Sequence, residues 1–326
     1  MHLLHQFLYR FRFYRFFIEW TKYIILPGFA PLPLYTVALF FFQEIKKESL
    51  ANKASSLAYN FMMAIFPSII FLFTLIPYIP INNFQNQLLT IISLLLPRNA
   101  YLAFESTLED IVKNQNGKLL SLGFVLALFF ATNGIHTLME AFNKSSLIVE
   151  TRSWIKQRII ALNLTILIAF SLILGVGVMV IGEYVVNFFQ KELNQIESNF
   201  WIYLIMISRW IIIIIVYFVT ISILYRYGPA NCKKWKFFSA GSWLATILAV
   251  ITSIGFTYYI NNFGTYNKLY GSIGTLLVMM LWLYLNSFIL LIGFELNASL
   301  DLSKRSIKIV KPKFNSFKGE VKGLKN

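Results

Sequence analysis

"YNKLYGSIGTLLVMMLWLY", residues 266–284, sets three small residues (Gly271, Ser272 and Gly274) behind Tyr270 and then runs into a long apolar tract. It reads either as a glycine-rich phosphate loop or as the start of a membrane helix. A phosphate loop needs glycines at fixed spacing between a strand and a helix, usually closed by a lysine. No lysine follows here. The tract ahead is long enough to cross a bilayer, and small residues at its start let a neighbouring backbone come close. The stretch therefore reads as a tight turn feeding a closely packed membrane helix, provided that the rest of the chain is built for lipid.

The composition supports that proviso. The chain is 57% hydrophobic and only 13% charged, against roughly 25% charged in a soluble domain. Six charge-poor runs are long enough to span the hydrocarbon: 54–79, 119–139, 159–182, 200–225, 237–260 and 271–294. Only the fourth carries an internal charge, Arg209. The expected fold is an all-α polytopic bundle of six spans. Its expected divisions are a basic, aromatic segment over 1–53, a membrane domain over 54–301 and a basic tail over 302–326.

The net charge of +15 fits either nucleic-acid binding or the basic inner face of a membrane protein, and charge placement decides. Of the 29 Lys and Arg residues, 23 fall before the first span, in the second–third and fourth–fifth links, or after the sixth. Five fall on the opposite side. This asymmetry puts both termini in the cytoplasm, needs no nucleic acid, and suits anionic lipid headgroups on the inner face.

The first fifty residues are less regular. "HLLHQFLYRFRFYRFFIEW", residues 2–20, has neither the short apolar core nor the cleavage site of a signal peptide. It reads as a basic aromatic helix lying in the interface. Residues 23–42 are long enough to span, but Pro27, Gly28, Pro31 and Pro33 break their first half. The preferred reading is a break and then a helix approaching the membrane; the alternative is a seventh span. Between spans one and two, residues 88–96 are apolar yet too short to cross, so they read as a surface or re-entrant segment.

A resemblance is carried by two motifs. "FTYYINNFGTYNKLYGSIGTLLVMMLWLYLNSFILLIGFELNASL", with Tyr270, Gly271, Gly274, Trp282 and Asn297, resembles the signature of the YihY/virulence factor BrkB family. "ASSLAYNFMMAIFPSIIFLF", with Ala58, Tyr59 and Pro67, is similar to that family's other hallmark. The likeness runs over roughly 51–300 and implies a six-span bacterial inner-membrane protein. It implies no settled activity. Some members carry an old ribonuclease label, but a phosphodiester-cleaving metal site needs clustered carboxylates or histidines. Here 14 acidic residues and three histidines are scattered, and there is one cysteine. No catalytic set, cofactor or metal is expected.

Polar residues inside apolar runs are the candidate site. Arg209 lies about 13 Å into span four at 1.5 Å per residue. A charge there costs about 2.5–3.5 kcal/mol on insertion scales. It should face the bundle or a wet cavity, or else snorkel to outer phosphates. Glu183 is the carboxylate expected nearest to it. Asn133 and His136 sit one turn apart on span two, and with Asn60 and Asn163 they either line a polar path or tie helices together. Glu295 is expected to pair with Arg152, Arg158 or Arg226. Pro67 is expected to kink span one. "LGVGVMVIG", with Gly175, Gly177 and Gly182, reads as a close-packing face.

The lead expectation is thus a non-enzymatic carrier or translocation factor for a lipid or other amphiphile. The alternative is an assembly protein of the envelope, with homo-oligomers or a partner protein possible.

Overall fold

The computed structural model describes residues 12–24, 33–47, 50–79, 83, 85–86, 88–90, 105–106, 109–145, 148–192, 200–230, 237–262 and 272–310. Regular structure among them is entirely helical. Two short helices come first: α1 (Arg12–Tyr23) and α2 (Leu34–Lys47). Six long ones follow: α3 (Leu50–Leu75), α4 (Gly117–Ser145), α5 (Trp154–Glu192), α6 (Phe200–Tyr227), α7 (Ala240–Asn262) and α8 (Ser272–Val310). These six are long and apolar enough to cross a membrane, as the charge-poor runs led us to expect. α2, at 14 residues, reaches only about 21 Å and falls short of the roughly 30 Å hydrocarbon. The longer 23–42 candidate partly lies outside the described residues, as do Tyr270 and Gly271.

The spans overrun their sequence-predicted ends. α5 starts at Trp154, five residues before the charge-free run, and α8 continues to Val310. Backbone hydrogen bonding carries a helix past the apolar boundary, because nothing at these links forbids the next turn. Pro67 lies inside a helix that stays unbroken over Leu50–Leu75. The hydroxyl of the adjacent Ser68 donates to the Ala64 carbonyl at 2.7 Å.

Neighbours follow a closed cycle: α3 packs on α4, α4 on α5, α5 on α6, α6 on α7, α7 on α8, and α8 back on α3. The chain enters and leaves this ring at one end, here called the terminus end. The core gathers there. Leu57, Ile135, Leu138, Phe142, Ile221, Tyr225, Leu291 and Phe294 are all almost fully buried. Phe142 stacks on Phe294 at 4.0 Å between ring centres, and Tyr225 meets both rings edge-on.

Two glycines make this end tight. A Cβ on Gly241 would meet the Gly293 carbonyl, and one on Gly293 would meet the Tyr225 hydroxyl and the Gly241 carbonyl. α7 and α8 therefore cross backbone to backbone. Asn297 exploits the crossing: its Oδ1 accepts from the Gly241 amide at 2.8 Å, and its Nδ2 donates to Ser239 Oγ at 2.8 Å. Ser239 in turn accepts from the Ser242 amide. The start of α7 is thus capped by its own serine and by an asparagine from α8.

The opposite, far end is looser. Val176, Val180, Ile181 and Tyr184 on α5, and Leu204, Ile207 and Ile211 on α6, are exposed. A Cβ on Gly175 or Gly177 would meet nothing within 4 Å. The expected close-packing face on α5 is therefore corrected: those two glycines face open space, and only Gly182 is covered. The close approaches lie on α4 instead. A Cβ on Gly123 would sit 3.1 Å from the Phe71 backbone nitrogen, and one on Gly134 would sit 2.9 Å from the Phe61 ring.

Both short helices attach at the terminus end. Val37 of α2 is buried with Leu296 and Leu300 of α8, beside Leu34, Phe41, Ala240 and Leu244. α1 packs on α2 and buries Ile18 and Thr21. Its other side exposes Phe16, Trp20 and Tyr23, four and three residues apart. At the far end Leu89 and Val112, from the link between α3 and α4, are buried against Ile76.

Candidate functional site

The Arg209 side chain lies across Gly182. A Cβ on that glycine would fall 2.6 Å from Arg209 Cδ and 3.3 Å from Cγ. Glycine leaves the groove that the arginine stem occupies. The guanidinium Nε is buried and makes no hydrogen bond. Glu183 does not answer it: the carboxylate is on the exposed side of α5, and no ion pair joins the two among the described residues. A guanidinium inside a span, with no carboxylate beside it, is costly.

Nearby, Ser171 and Thr220 share a hydrogen bond of 2.7 Å between α5 and α6. The two helices are thus joined at mid-length and again at the Arg209–Gly182 seat.

A polar seam lies nearer the terminus end. Asn133 Nδ2 donates to Asn60 Oδ1 at 3.4 Å, and Arg158 Nη1 donates to Asn133 Oδ1 at 3.1 Å. Asn60 also reaches Thr137 Oγ1 at 3.4 Å. His136 Nε2 and Gln157 Oε1 lie 3.1 Å apart, and Gln157 donates onward to the Arg152 carbonyl at 2.9 Å. The seam joins α3, α4 and α5. Asn133 and His136 therefore do tie helices together. Asn163 does not take part; it is exposed on α5, which corrects its place in the expected polar interior.

Arg158 is the residue that sequence reasoning missed as a site. Ending span three at the first charge left it in a link. Helix spacing could have placed it: Trp154 and Arg158 are four apart, hence on one face. The Arg158 guanidinium sits 5.6 Å from the Trp154 ring centre, and its Nε is buried without a hydrogen bond.

Glu295 is almost fully buried, but the three arginines expected to pair with it have other partners. Arg152 takes Glu150 at 2.7 Å, Arg158 takes Asn133, and Arg226 lies over the Tyr227 ring. Lys53 of α3 is a cation within coulombic reach of Glu295, and its Nζ donates to Ser145 Oγ at 3.4 Å. Trp282 tilts against Phe256 at 4.7 Å. Ala58 is buried and Tyr59 exposed; Gly274 is buried.

The links at the terminus end form a clasp. Glu150 accepts from the Arg152 Nε and Nη2 atoms and from Asn143 Nδ2. Arg152 Nη2 also donates to the Gly228 carbonyl at 3.0 Å, and Asn143 Oδ1 accepts from the Ala230 amide at 2.8 Å. The Arg152 hydrogen bonds hold the Glu150 carboxyl below its usual range, with burial opposing.

Among the described residues no three His, Cys, Asp or Glu side chains come together as metal ligands. The arrangement offers cationic and amide donors at two levels of a helical ring, in a multi-pass membrane protein.

Comparison with known sequences supplies the family. The profile of the virulence factor BrkB family matches residues 41–313, and this chain belongs to that family. It is 31% identical over 260 residues to the ribonuclease-like protein YfkH of Bacillus subtilis (strain 168), covering 78% of this chain and 91% of the relative. A UPF0761 membrane protein of Tolumonas auensis is 26% identical, over 80% of this chain and 84% of its own length. The UPF0761 membrane protein NTHI0384 of Haemophilus influenzae is 25% identical, over 83% and 97%. No solved structure matches.

Proposed function

We propose that this protein is a non-enzymatic carrier for an anionic amphiphile, a molecule with a phosphate or carboxylate headgroup and an apolar tail. The observation that carries this reading is the Arg209 guanidinium, seated on Gly182 without a carboxylate partner. A guanidinium inside the Leu204–Tyr227 span, even near its far end, marks a functional position by default. The ring packs tightly at one end and loosely at the other, as a carrier accessible from one side should. An apolar groove of about 390 Å³, lined by Ile251, Gly255, Phe256, Tyr259, Leu281 and Leu285, provides tail-compatible surface in the far half of α7 and α8. We assign the basic terminus end to the cytoplasm, where it faces anionic lipid.

The test is a flip assay in liposomes with a fluorescent phosphatidylglycerol and a membrane-impermeant quencher. Wild type should expose label faster than empty liposomes, and Arg209→Leu should return the rate to baseline while helix content is unchanged. A variant that transports normally would sink the assignment.

A second reading, an envelope assembly role, draws on the exposed Phe16, Trp20 and Tyr23 face of α1. It predicts that deleting 303–326, or trimming 88–113, abolishes function in cells while Arg209→Leu does not.

A further inference from the structure

The carrier reading uses one arginine, yet α5 is touched by two of the same kind. Arg158 rises from its first turns, and Arg209 rests on Gly182 near its other end. Each guanidinium has a buried Nε with no hydrogen bond. Neither has a carboxylate partner among the described residues. Each adjoins an exposed tryptophan, Trp154 at 67% exposure and Trp210 at 54%. Indole rings of this kind concentrate at the two membrane–water boundaries.

The spacing between the two fits the bilayer. Arg158 and Gly182 are 24 residues apart on one unbroken helix, so about 36 Å at 1.5 Å per residue. A bilayer has a hydrocarbon core of about 30 Å and a thickness of about 40–45 Å with its headgroups. The two guanidiniums therefore lie near the headgroup levels of opposite leaflets.

Local chemistry suits a phosphodiester. A guanidinium presents a planar fork of donors that matches phosphate oxygens. Asn133 fixes one Arg158 nitrogen at 3.1 Å, which orients the fork. Asn133 itself is held by Asn60. At Arg209 the stem is fixed by its seat on Gly182. Ile155 and Ile159 beside Arg158, and Ile212 one turn from Arg209 on the same face of α6, are exposed, so a lipid can reach each without crossing the protein.

The geometry points to two phospholipid headgroup seats, one per leaflet, at Arg158 and Arg209, with the lipid tails along the outside of the α5–α6 hairpin. This assignment rests on the carrier reading for its purpose but not for its test, because binding is measured apart from transport.

The experiment is native mass spectrometry of the full chain in detergent, titrated with dioleoyl phosphatidylglycerol. Dioleoyl phosphatidylcholine and inorganic phosphate serve as separate controls. Wild type should saturate at two tightly held phosphatidylglycerols. Arg158→Gln and Arg209→Leu should each hold one, with half-saturation of the lost site rising by about tenfold or more, as loss of charged hydrogen bonds implies. The double variant should hold none above the phosphatidylcholine background. Arg158→Lys should keep its lipid more weakly than wild type, since the charge stays and the fork is lost.

Wild type that binds one lipid, or a ladder with no saturation, overturns the assignment whatever the variants do. So does Arg158→Gln that still holds two, or seats that fill with inorganic phosphate in place of lipid. Variants that lose lipid as expected yet flip it at the wild-type rate would leave both seats standing and remove only the carrier reading.

Discussion

Arg209 and Gly182 form a matched pair: the arginine stem fills the space that a side chain on the glycine would take, with Cδ 2.6 Å from the missing Cβ. The glycine acts as the floor of the arginine's seat, and the pair links α5 to α6 near the far end.

A methyl group at that position should therefore move the arginine. Gly182→Ala should fold, because a flexible stem yields more easily than backbone. It should still reproduce a large part of the Arg209→Leu defect in phosphatidylglycerol flipping. A rate equal to wild type would mean that the position of the guanidinium is not critical.

The α7–α8 crossing should be much less forgiving. Gly293→Ala would place a methyl against the Tyr225 hydroxyl, the Ala245 methyl and the Gly241 carbonyl at once, where the nearest backbone cannot yield. Overpacking of this kind costs about 1–3 kcal/mol or more. The prediction is a large loss of folded protein, read by fluorescence-detected size exclusion. Gly175→Ala, which meets open space, should behave as wild type in the same assay.

Asn297 should matter through its two hydrogen bonds to the start of α7. Asn297→Ala removes the cap on Gly241 and the contact to Ser239, leaving a buried amide without a partner. Cap loss costs about 1 kcal/mol and an orphaned buried donor about 1–3 kcal/mol. A fall in melting temperature in detergent checks this. Asn297→Asp keeps the Gly241 acceptor and should recover part of the loss.

The clasp between the links gives a pH dependence. Arg152 lowers the Glu150 carboxyl in the folded state. Its contribution is therefore complete above the ordinary carboxyl value of about 4.5 that holds in the unfolded chain, and is lost as pH falls through the lowered folded value. Glu150→Gln should flatten this acid limb of the melting-temperature profile. Glu150→Ala strands Arg152, whose side chain is only 7% exposed, and should cost about 3 kcal/mol at neutral pH. An acid limb that survives in Glu150→Gln would place the titration elsewhere.

Much of the fold was legible because lipid imposes one strong condition: every spanning segment must be long, apolar and helical. Six charge-poor runs met it, and each became a helix. The site was less legible, because contact between helices depends on rotation about each axis, which apolar runs do not encode. Asn163 and Asn133 look alike in sequence, yet one faces outward and the other bonds Arg158. Gly175, Gly177 and Gly182 formed one motif, but only the last is covered. Arg158 was hidden by its own charge, which held the start of the apolar run at residue 159, five residues inside the helix. Glu295 met Lys53 because α8 closes the ring against α3, a long-range pairing that local spacing cannot reveal.

The α5–α6 hairpin has a mechanical consequence. Its two limbs are fastened to each other by Ser171 with Thr220 and by Arg209 on Gly182. Its named ties to the neighbouring helices gather at its base, through Arg158 with Asn133, Gln157 with His136, Phe218 beside Trp243, and Tyr225 with the Leu290 carbonyl. A beam clamped at its root and stiffened along its length behaves as a cantilever. Deflection grows toward the free tip, so the ring would part first between this hairpin and its neighbours, and sideways into the bilayer.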